Sequence, residues 1–480
     1  MLLDADQCYR ALAAHDARFD GRFFVGVATT RIYCRPVCTA RIPRRGNCRF
    51  FPSAAAAEAQ GFRPCLRCRP ELAPGHAAVD ANRRLAQAAA GLIDDGRLGA
   101  EARLPDLARA LGVTDRHLRR VFGEEFGVSP VEYAQTQRLL LAKRLLTDTA
   151  LPVIEVALAS GFSSLRRFNH LFRSRYRMTP VALRHAAPAS ARDALTFDLA
   201  YRPPYDWDSM HDFLAKRAIA GVEAVEGRKY LRTVRIERGG KAIAGWIAVG
   251  PSKKARALSV TASASLAAAL PAVLGRVKQQ FDLACHPEEI AAALGPLARE
   301  HPGLRLPGAF DGFETAVRAI LGQQVTVRAA SIIAGRFAAA FGDAIETPHA
   351  SLARLFPSPA RVAALEPAEI AATGIIAARA RAIVLLAREM AAGRLRLDPT
   401  AEVDATLARL QSIPGVGPWT AQYIAMRALG WPDAFPHPDV AVLKAMGEKN
   451  VRLAAAHADR WRPWRAYAVL HLWKSLEKTP

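Results

Sequence analysis

Ile413-Pro414-Gly415-Val416-Gly417 separates two apolar-periodic segments of a 480-residue chain. Leu407 and Leu410 end the first segment, and Trp419, Tyr423, Ile424 and Met426 carry the second. Two glycines two apart, with Pro414 ahead of them, read as a tight hairpin rather than a helix interior. A helix then starts at about Pro418, where a missing N–H costs nothing. The backbone N–H groups bared by such a turn can hold a phosphate without reading a base, which makes Pro414, Gly415 and Gly417 phosphate-binding candidates. The bland alternative is a turn between two helices. Asp439 tips the balance, lying twenty residues beyond Trp419 after the proline-flanked Phe435-Pro436-His437-Pro438.

This stretch resembles the helix-hairpin-helix DNA glycosylases, most closely the AlkA-type alkylation-repair branch. The run from Phe313 to Gln324 and the run from Trp461 to Trp473 extend the resemblance, which reaches from about 195 to 480. It implies an all-α glycosylase domain over 301–480 that cleaves the glycosidic bond of a flipped base. Asp439 matches the family's catalytic aspartate, which stabilises an oxocarbenium-like sugar or activates water. Tyr423 and Trp473, with Trp419, match aromatics that line the base pocket; their faces would attract a cationic base such as 3-methyladenine or 7-methylguanine. Core packing is the ordinary role of such aromatics. Gln323 and Gln324 fall at the wedge that fills the gap left by the flipped base, and Gln324 departs from the apolar residue of the AlkA type. Bifunctional members carry a lysine where this chain has Trp419, so no Schiff base can form and the abasic site is left uncut.

Composition agrees with a nucleic-acid partner. Sixty-six Lys+Arg against 44 Asp+Glu give a formal net charge of +22 and a pI near 10.3, which favours a polyanion. No apolar run approaches membrane-spanning length. The first twenty residues mix Asp4, Asp6, Arg10, His15 and Asp16 among apolar ones, unlike a signal peptide, so a cytoplasmic, nucleoid-associated protein is expected. Seven cysteines there are thiols or metal ligands before they are disulfides.

Four of them form two close pairs, Cys34 with Cys38 and Cys65 with Cys68, with twenty-six residues between. Two turns bearing four thiolates favour one tetrahedral zinc ion, and no organic cofactor is called for. Cys8, Cys48 and Cys285 read as packing residues. The segments from Thr29 to Cys38 and from Gly61 to Cys68 resemble the zinc methyl-acceptor domain of Ada type. The resemblance implies that Cys34 takes a methyl group irreversibly from a DNA phosphotriester. Four thiolates on one Zn²⁺ leave a net charge of about −2, and methylation removes one negative charge beside the DNA backbone. Arg31, Arg35, Arg41, Arg44, Arg45, Arg63, Arg67 and Arg69 supply a basic surface. A purely structural zinc knot is the plain alternative.

Beyond a Pro74-Gly75 break the pattern is helical. An apolar helix, a Gly turn and Thr114 as a cap precede a helix with Leu118, Val121 and Phe122 inward and Arg116, His117, Arg119 and Arg120 outward. About fifty residues later Ile154, Val156, Ala157 and Leu158 precede Gly161-Phe162-Ser163-Ser164, then Arg166, Arg167, Phe168 and Asn169. Two helix-turn-helix units joined by a long helix (about 131–147) resemble the AraC-type DNA-binding domain. The outward residues, Ser164 included, would enter successive major grooves. Operator DNA, and RNA polymerase as a further partner, follow from that resemblance.

A linker at 186–191 leads to strands at 195–199, 230–236 and 242–249, with helices at about 207–220 and 265–280. Residues 192–300 then read as an α+β scaffold resembling the AlkA N-terminal domain, and no cluster of titratable residues there suggests chemistry. The whole is multidomain and mainly α: an α/β zinc domain (1–75), an all-α double helix-turn-helix domain (76–186), the α+β domain and the glycosylase domain. It joins a methyl sensor, a transcription regulator and a base-excision enzyme. No Pro-Cys-His-Arg motif is present, so no repair of O6-methylguanine is expected. The competing readings are a DNA-binding regulator with a non-catalytic C-terminal half, and a zinc or redox sensor without methyl chemistry.

Overall fold

The computed structural model describes residues 5–16, 19–21, 23–73, 81–94, 104–148, 151–185, 194–238, 241–437 and 439–477. The Pro74-Gly75 break and the 186–191 linker lie outside them. Two compact units emerge: residues 1–203 with 252–275 and 283–286, and residues 204–251 with 276–282 and 287–480.

The first unit opens on four short strands, β1 (Phe24–Val27), β2 (Ile32–Cys34), β3 (Cys48–Phe51) and β4 (Arg63–Pro64), in the order β3-β1-β2-β4. Pairing is antiparallel except between β2 and β4. Aromatics close the sheet: Phe24 meets Tyr33 edge-on and Phe51 tilts against Phe62 at 5.2 Å. Cys8 and Cys48 share a small core, and Cys285 is buried too.

The helix-turn-helix pairs follow as Leu104–Ala110 with Asp115–Phe126, and Val153–Ala159 with Leu165–Tyr176. Pro130–Asp148 runs between them. Thr114 and Ser164 cap the second helix of each pair by accepting a backbone N–H three residues on. Leu118, Val121 and Phe122 are buried, as are Phe168 and Phe172. Val156 and Ala157 turn inward, but Ile154 and Leu158 of the same apolar run are more than half exposed. A seven-residue helix has only one face to bury, and those two lie on the other.

Five further strands are β5 (Ala194–Ala200), β6 (Glu223–Glu226), β7 (Lys229–Arg238), β8 (Lys241–Pro251) and β9 (Ala257–Ser263). β5 pairs with β9, β6 with β7 and β7 with β8, all antiparallel. β6 and β9 are additions to the sequence-based expectation. The helix expected at 207–220 stops at Ala215, because Ile219 and Val222 turn into the helical core and Gly221 takes φ +83°. That expected at 265–280 begins as a 3₁₀ turn over Ala264–Ala269 and becomes α only from Leu270.

The second unit is built on helices Gly312–Leu321, Ala377–Ala391 and Pro418–Ala428 around one core that also takes in Leu410, Ile413 and Val416. Glu223, Tyr230 and Arg232 are buried against Glu314 and Arg318 in a cluster whose charges are paired with one another. Arg318 donates to Glu223 Oε2 at 2.7 Å and Arg232 to Glu314 Oε2 at 2.6 Å. Their partners lie 82 to 95 residues away, so sequence proximity could not group them. No described helix is long and apolar enough to cross a membrane.

Candidate active site and metal centre

The hairpin forms where the glycines place it. Gly415 takes φ +93°, a conformation that a side chain disfavours, and Val416 N–H closes the turn on the Ile413 carbonyl at 2.9 Å. Ile413 and Val416 plug into the core while Pro414, Gly415 and Gly417 stay exposed. Gly417 caps the helix that begins at Pro418. Gln323 braces the turn: its Nε2 donates to the Gly415 carbonyl at 2.8 Å and to Thr420 Oγ1 at 2.9 Å. Its neighbour Gln324 is exposed in the left-handed region, at φ +54°. The two glutamines thus have different roles, one tied to the hairpin and one projecting beside exposed Val325 and Val327.

Asp439 caps the helix Val440–Ala445, accepting from Val442 N–H through Oδ1 at 2.9 Å. Two indoles complete its surroundings. Trp419 Nε1 donates to Oδ2 at 2.8 Å and Trp473 Nε1 to Oδ1 at 3.1 Å. The lead-in loop is fixed by Asp433, a buried carboxylate that accepts from Arg465 at 2.7 Å and from Arg462 at 2.5 Å. The carboxylate of Asp439 is therefore both a helix cap and a group oriented from two directions by aromatic side chains.

Those aromatics form a wall. Trp419 stacks on Tyr423 with centroids 5.2 Å apart and planes 10° from parallel, and Trp473 lies 6.4 Å from Tyr423. A cavity of about 100 Å³ is lined by Trp473 and Phe213 but not by Asp439, Trp419 or Tyr423. Phe213 comes from the helix Trp207–Ala215, in the segment read as a bland scaffold. Its only sequence signal was an aromatic on an apolar helix face. Burial pushes the Tyr423 phenol up, but the nearby Arg427, Arg217 and Arg318 outweigh it and hold the phenol below its ordinary value.

In the first unit, Cys34, Cys38, Cys65 and Cys68 bring their Sγ atoms within 4.8 Å of one another. Tetrahedral zinc at Zn–S distances of about 2.3 Å needs sulfurs about 3.8 Å apart, so the set fits one ion. Cys68 Sγ accepts the Arg35 backbone N–H at 3.3 Å.

Arg35 corrects the list of surface cations. It is buried, donating Nε to Asp20 Oδ1 at 2.9 Å and Nη1 to the Cys68 carbonyl at 3.1 Å. A guanidinium with a carboxylate and a carbonyl to serve is part of the frame. Arg31, Arg41, Arg44 and Arg67 are exposed, as the reading requires. On the helix-turn-helix faces Arg116, Arg119 and Arg120 are exposed and His117 half-exposed. Arg120 pairs with Glu124 at 2.9 Å and Arg119 with Asp115 at 3.8 Å, both exchangeable for phosphate. Arg166, Arg167 and Asn169 are exposed without an acidic partner among the described residues, and the Ser164 hydroxyl is engaged as a cap.

Known proteins carry the same parts in the same order. "Metal binding domain of Ada" matches residues 7–71 and "Helix-turn-helix domain" residues 107–186. "AlkA N-terminal domain" matches 196–311, and "HhH-GPD superfamily base excision DNA repair protein" 317–448. The "Probable bifunctional transcriptional activator/DNA repair enzyme AlkA" of Mycobacterium tuberculosis (strain ATCC 25618 / H37Rv) is 38% identical over 491 residues, 99% of this chain and 97% of that protein. This chain belongs to that bifunctional Ada/AlkA family. Its C-terminal part is 35% identical to the "DNA-3-methyladenine glycosylase 2" of Escherichia coli (strain K12) over 277 residues, 58% of this chain and 96% of that one. The fold also resembles a 3-methyladenine DNA-glycosylase from Archaeoglobus fulgidus, at 19% identity and a TM-score of 0.50 over 58% of this chain and 98% of that one. The four cysteines are accordingly the zinc site of the Ada-type part, and the Asp439 pocket lies in the glycosylase part.

Proposed function

We propose that the chain repairs alkylated DNA and regulates the response to it, with residues 1–75, 76–186, 192–300 and 301–480 as its four working segments. In the last of them Asp439 is the catalytic carboxylate for release of 3-methyladenine and 7-methylguanine from duplex DNA. The observation that carries this reading is the pair of indole N–H groups, from Trp419 and Trp473, that fix both oxygens of Asp439 beside an aromatic wall. So held, the carboxylate faces the developing positive charge of the sugar, and a cationic base leaves readily. Pro414, Gly415 and Gly417 hold the backbone phosphate, and Gln324 fills the space of the flipped base. With Trp419 in place of an amine, the abasic site remains uncut.

At the other site Cys34 is the methyl acceptor. Bound zinc would keep the four sulfurs deprotonated. Cys68 gives lone-pair density to the Arg35 backbone N–H, which lowers its nucleophilicity, and the match of the Thr29–Cys38 segment to the Ada type points to Cys34 as the acceptor. Its sulfur forms a bond to the methyl carbon while the methyl–oxygen bond of the phosphotriester breaks, leaving a phosphodiester anion. Arg116, His117, Arg119, Arg120, Arg166, Arg167 and Asn169 read operator DNA in the nucleoid, and RNA polymerase is the recruited partner.

The test is base release from methylated duplex DNA. Wild type should free 3-methyladenine and Asp439→Asn should lose at least about a hundredfold in rate. Equal release by both proteins would remove Asp439 from the reaction. Release by neither, with DNA binding kept, would leave a binding module. Peptide mass analysis after exposure to methyl-phosphotriester DNA should find the added methyl on Cys34 alone.

A further inference from the structure

Tyr423, one wall of the pocket, has a backing that the proposed reaction does not use. Arg427 stands one helical turn beyond it, on the same face, and is 8% exposed. Its Nη1 donates to the Tyr423 hydroxyl at 2.7 Å. Its Nη2 donates to the Gly308 carbonyl at 3.3 Å and its Nε to the Pro307 carbonyl. The guanidinium carbon lies 4.8 Å from the centroid of the Phe213 ring and 5.6 Å from that of Tyr423. One side chain thus ties together the hairpin helix, the 307–308 loop and the helix that carries Phe213.

The partners of this cation are unusual. A buried guanidinium ordinarily takes a carboxylate. Arg318, nearby, takes two, Glu223 and Glu314. Among the described residues Arg427 takes none, and is satisfied by two carbonyls, a phenol oxygen and two ring faces. The phenol oxygen is therefore the one acceptor of Arg427 that belongs to the pocket wall.

We propose that Arg427 is a positioning residue for base excision: it holds Tyr423 and Phe213 as fixed walls of the base pocket and, through the Tyr423 oxygen, sets how that wall receives a positively charged base. The inference rests on the pocket reading above. The charged groups facing the Tyr423 phenol are Arg427 on its own helix, Arg217 beyond the Phe213 helix and Arg318 on Gly312–Leu321. Arg318 is paired with Glu223 and Glu314, whereas Arg427 has no carboxylate among the described residues, so the Tyr423 oxygen that accepts its N–H is what offsets that cation behind the ring face offered to a positively charged base.

The experiment measures single-turnover release of 3-methyladenine by wild type, Arg427→Gln, Tyr423→Phe and the double variant, alongside affinity for an abasic-site duplex. Tyr423→Phe keeps the bonds of Arg427 to both carbonyls, so it tests the link without loosening the loop. Each single change should slow release by about tenfold, the lower end for a hydrogen bond to a charged group, with affinity within about twofold. In the Tyr423→Phe background Arg427→Gln should add less than about threefold, since its route to the base is already cut. Labelling tyrosine at ¹³Cζ gives a second readout, in which the resonance missing from Tyr423→Phe should titrate at higher pH in Arg427→Gln than in wild type. Unchanged release in Arg427→Gln, an equal loss in both backgrounds, or an unmoved resonance overturns the proposal. If wild type itself releases no base, the pocket reading falls first and takes the positioning role with it; release by wild type with an indifferent Arg427 sinks the positioning role alone.

Discussion

The zinc site and the proposed base pocket are built on opposite plans. All four metal ligands lie between Cys34 and Cys68, on two turns flanking strands β2 and β4 of one small sheet. The proposed pocket draws Tyr423, Asp439 and Trp473 from three separate helices or their caps. A metal ion imposes its geometry on short loops, so the constraint is written as spacing. A base pocket is imposed by packing, so it is written only as separate apolar helix faces that tertiary structure must bring together.

The largest effect that could sharpen this contrast is removal of zinc. Structural zinc sites contribute on the order of 10 kcal/mol to the folding of small domains. A strong chelator at pH 7, or Cys38→Ser, should therefore melt the β1–β4 region, read as lost near-ultraviolet circular dichroism and loss of amide protection. Base release from methylated DNA should change by less than about twofold. Parallel loss of both signals would break the contrast and make the zinc region part of the glycosylase.

What could be read in the sequence follows the same division. The Cys34/Cys38 and Cys65/Cys68 pairs, the turn at Gly415 and the caps at Thr114 and Ser164 are local devices, and they form as their residues dictate. Arg35 was misread as a surface cation because its partner, Asp20, is fifteen residues earlier and gives no periodic signal. Phe213 and Arg427 give no sequence signal for a related reason. Each looks like an ordinary helix residue until the other is placed 4.8 Å away. Strands β6 and β9 escaped notice because one is four residues long and the other is rich in small residues. For Arg35, Phe213 and Arg427 the deciding contact is non-local.

The next effect in size concerns a buried ion pair in the first unit. Lys143, on the long helix Pro130–Asp148, donates to both oxygens of Glu71 at 3.0 Å, with each side chain 3% exposed. Arg69, next to Cys68, also reaches Glu71, at 3.2 Å. This links the edge of the metal site to the helix between the two DNA-reading units. Burial pushes Glu71 up, but Lys143 and Arg69 outweigh it and hold the carboxyl below its ordinary range. Lys143→Met strands the carboxylate with one half-hearted partner, and should cost about 3 kcal/mol. Because the folded Glu71 titrates below the unfolded one, the stabilisation is present above the ordinary carboxylate range and is lost as pH falls through the folded value. The melting-temperature gap between wild type and Lys143→Met should therefore be widest near neutrality and narrow in acid. A gap that widens in acid would exclude the pair as its source.

The smallest effect is at the pocket, and it separates two tryptophans that sequence treats alike. Replacing either by Phe keeps a ring in the wall and removes one N–H. Oδ1 of Asp439 has two donors, Trp473 and the Val442 backbone, whereas Oδ2 has Trp419 alone among the described residues. Trp419→Phe therefore frees one oxygen completely, and a lost hydrogen bond to a charged group should slow base release by about tenfold or more. Trp473→Phe leaves Oδ1 on the helix cap and should cost only about threefold. The measurement is single-turnover release of 3-methyladenine by the two variants under one set of conditions. If the order reverses, Trp473 contributes mainly as a stacking face, and the pocket is held by ring packing more than by the orientation of its carboxylate. If the order holds, the pocket resembles the zinc site after all in one respect: a single polar atom is fixed by donors that packing has placed around it, although those donors come from distant parts of the chain.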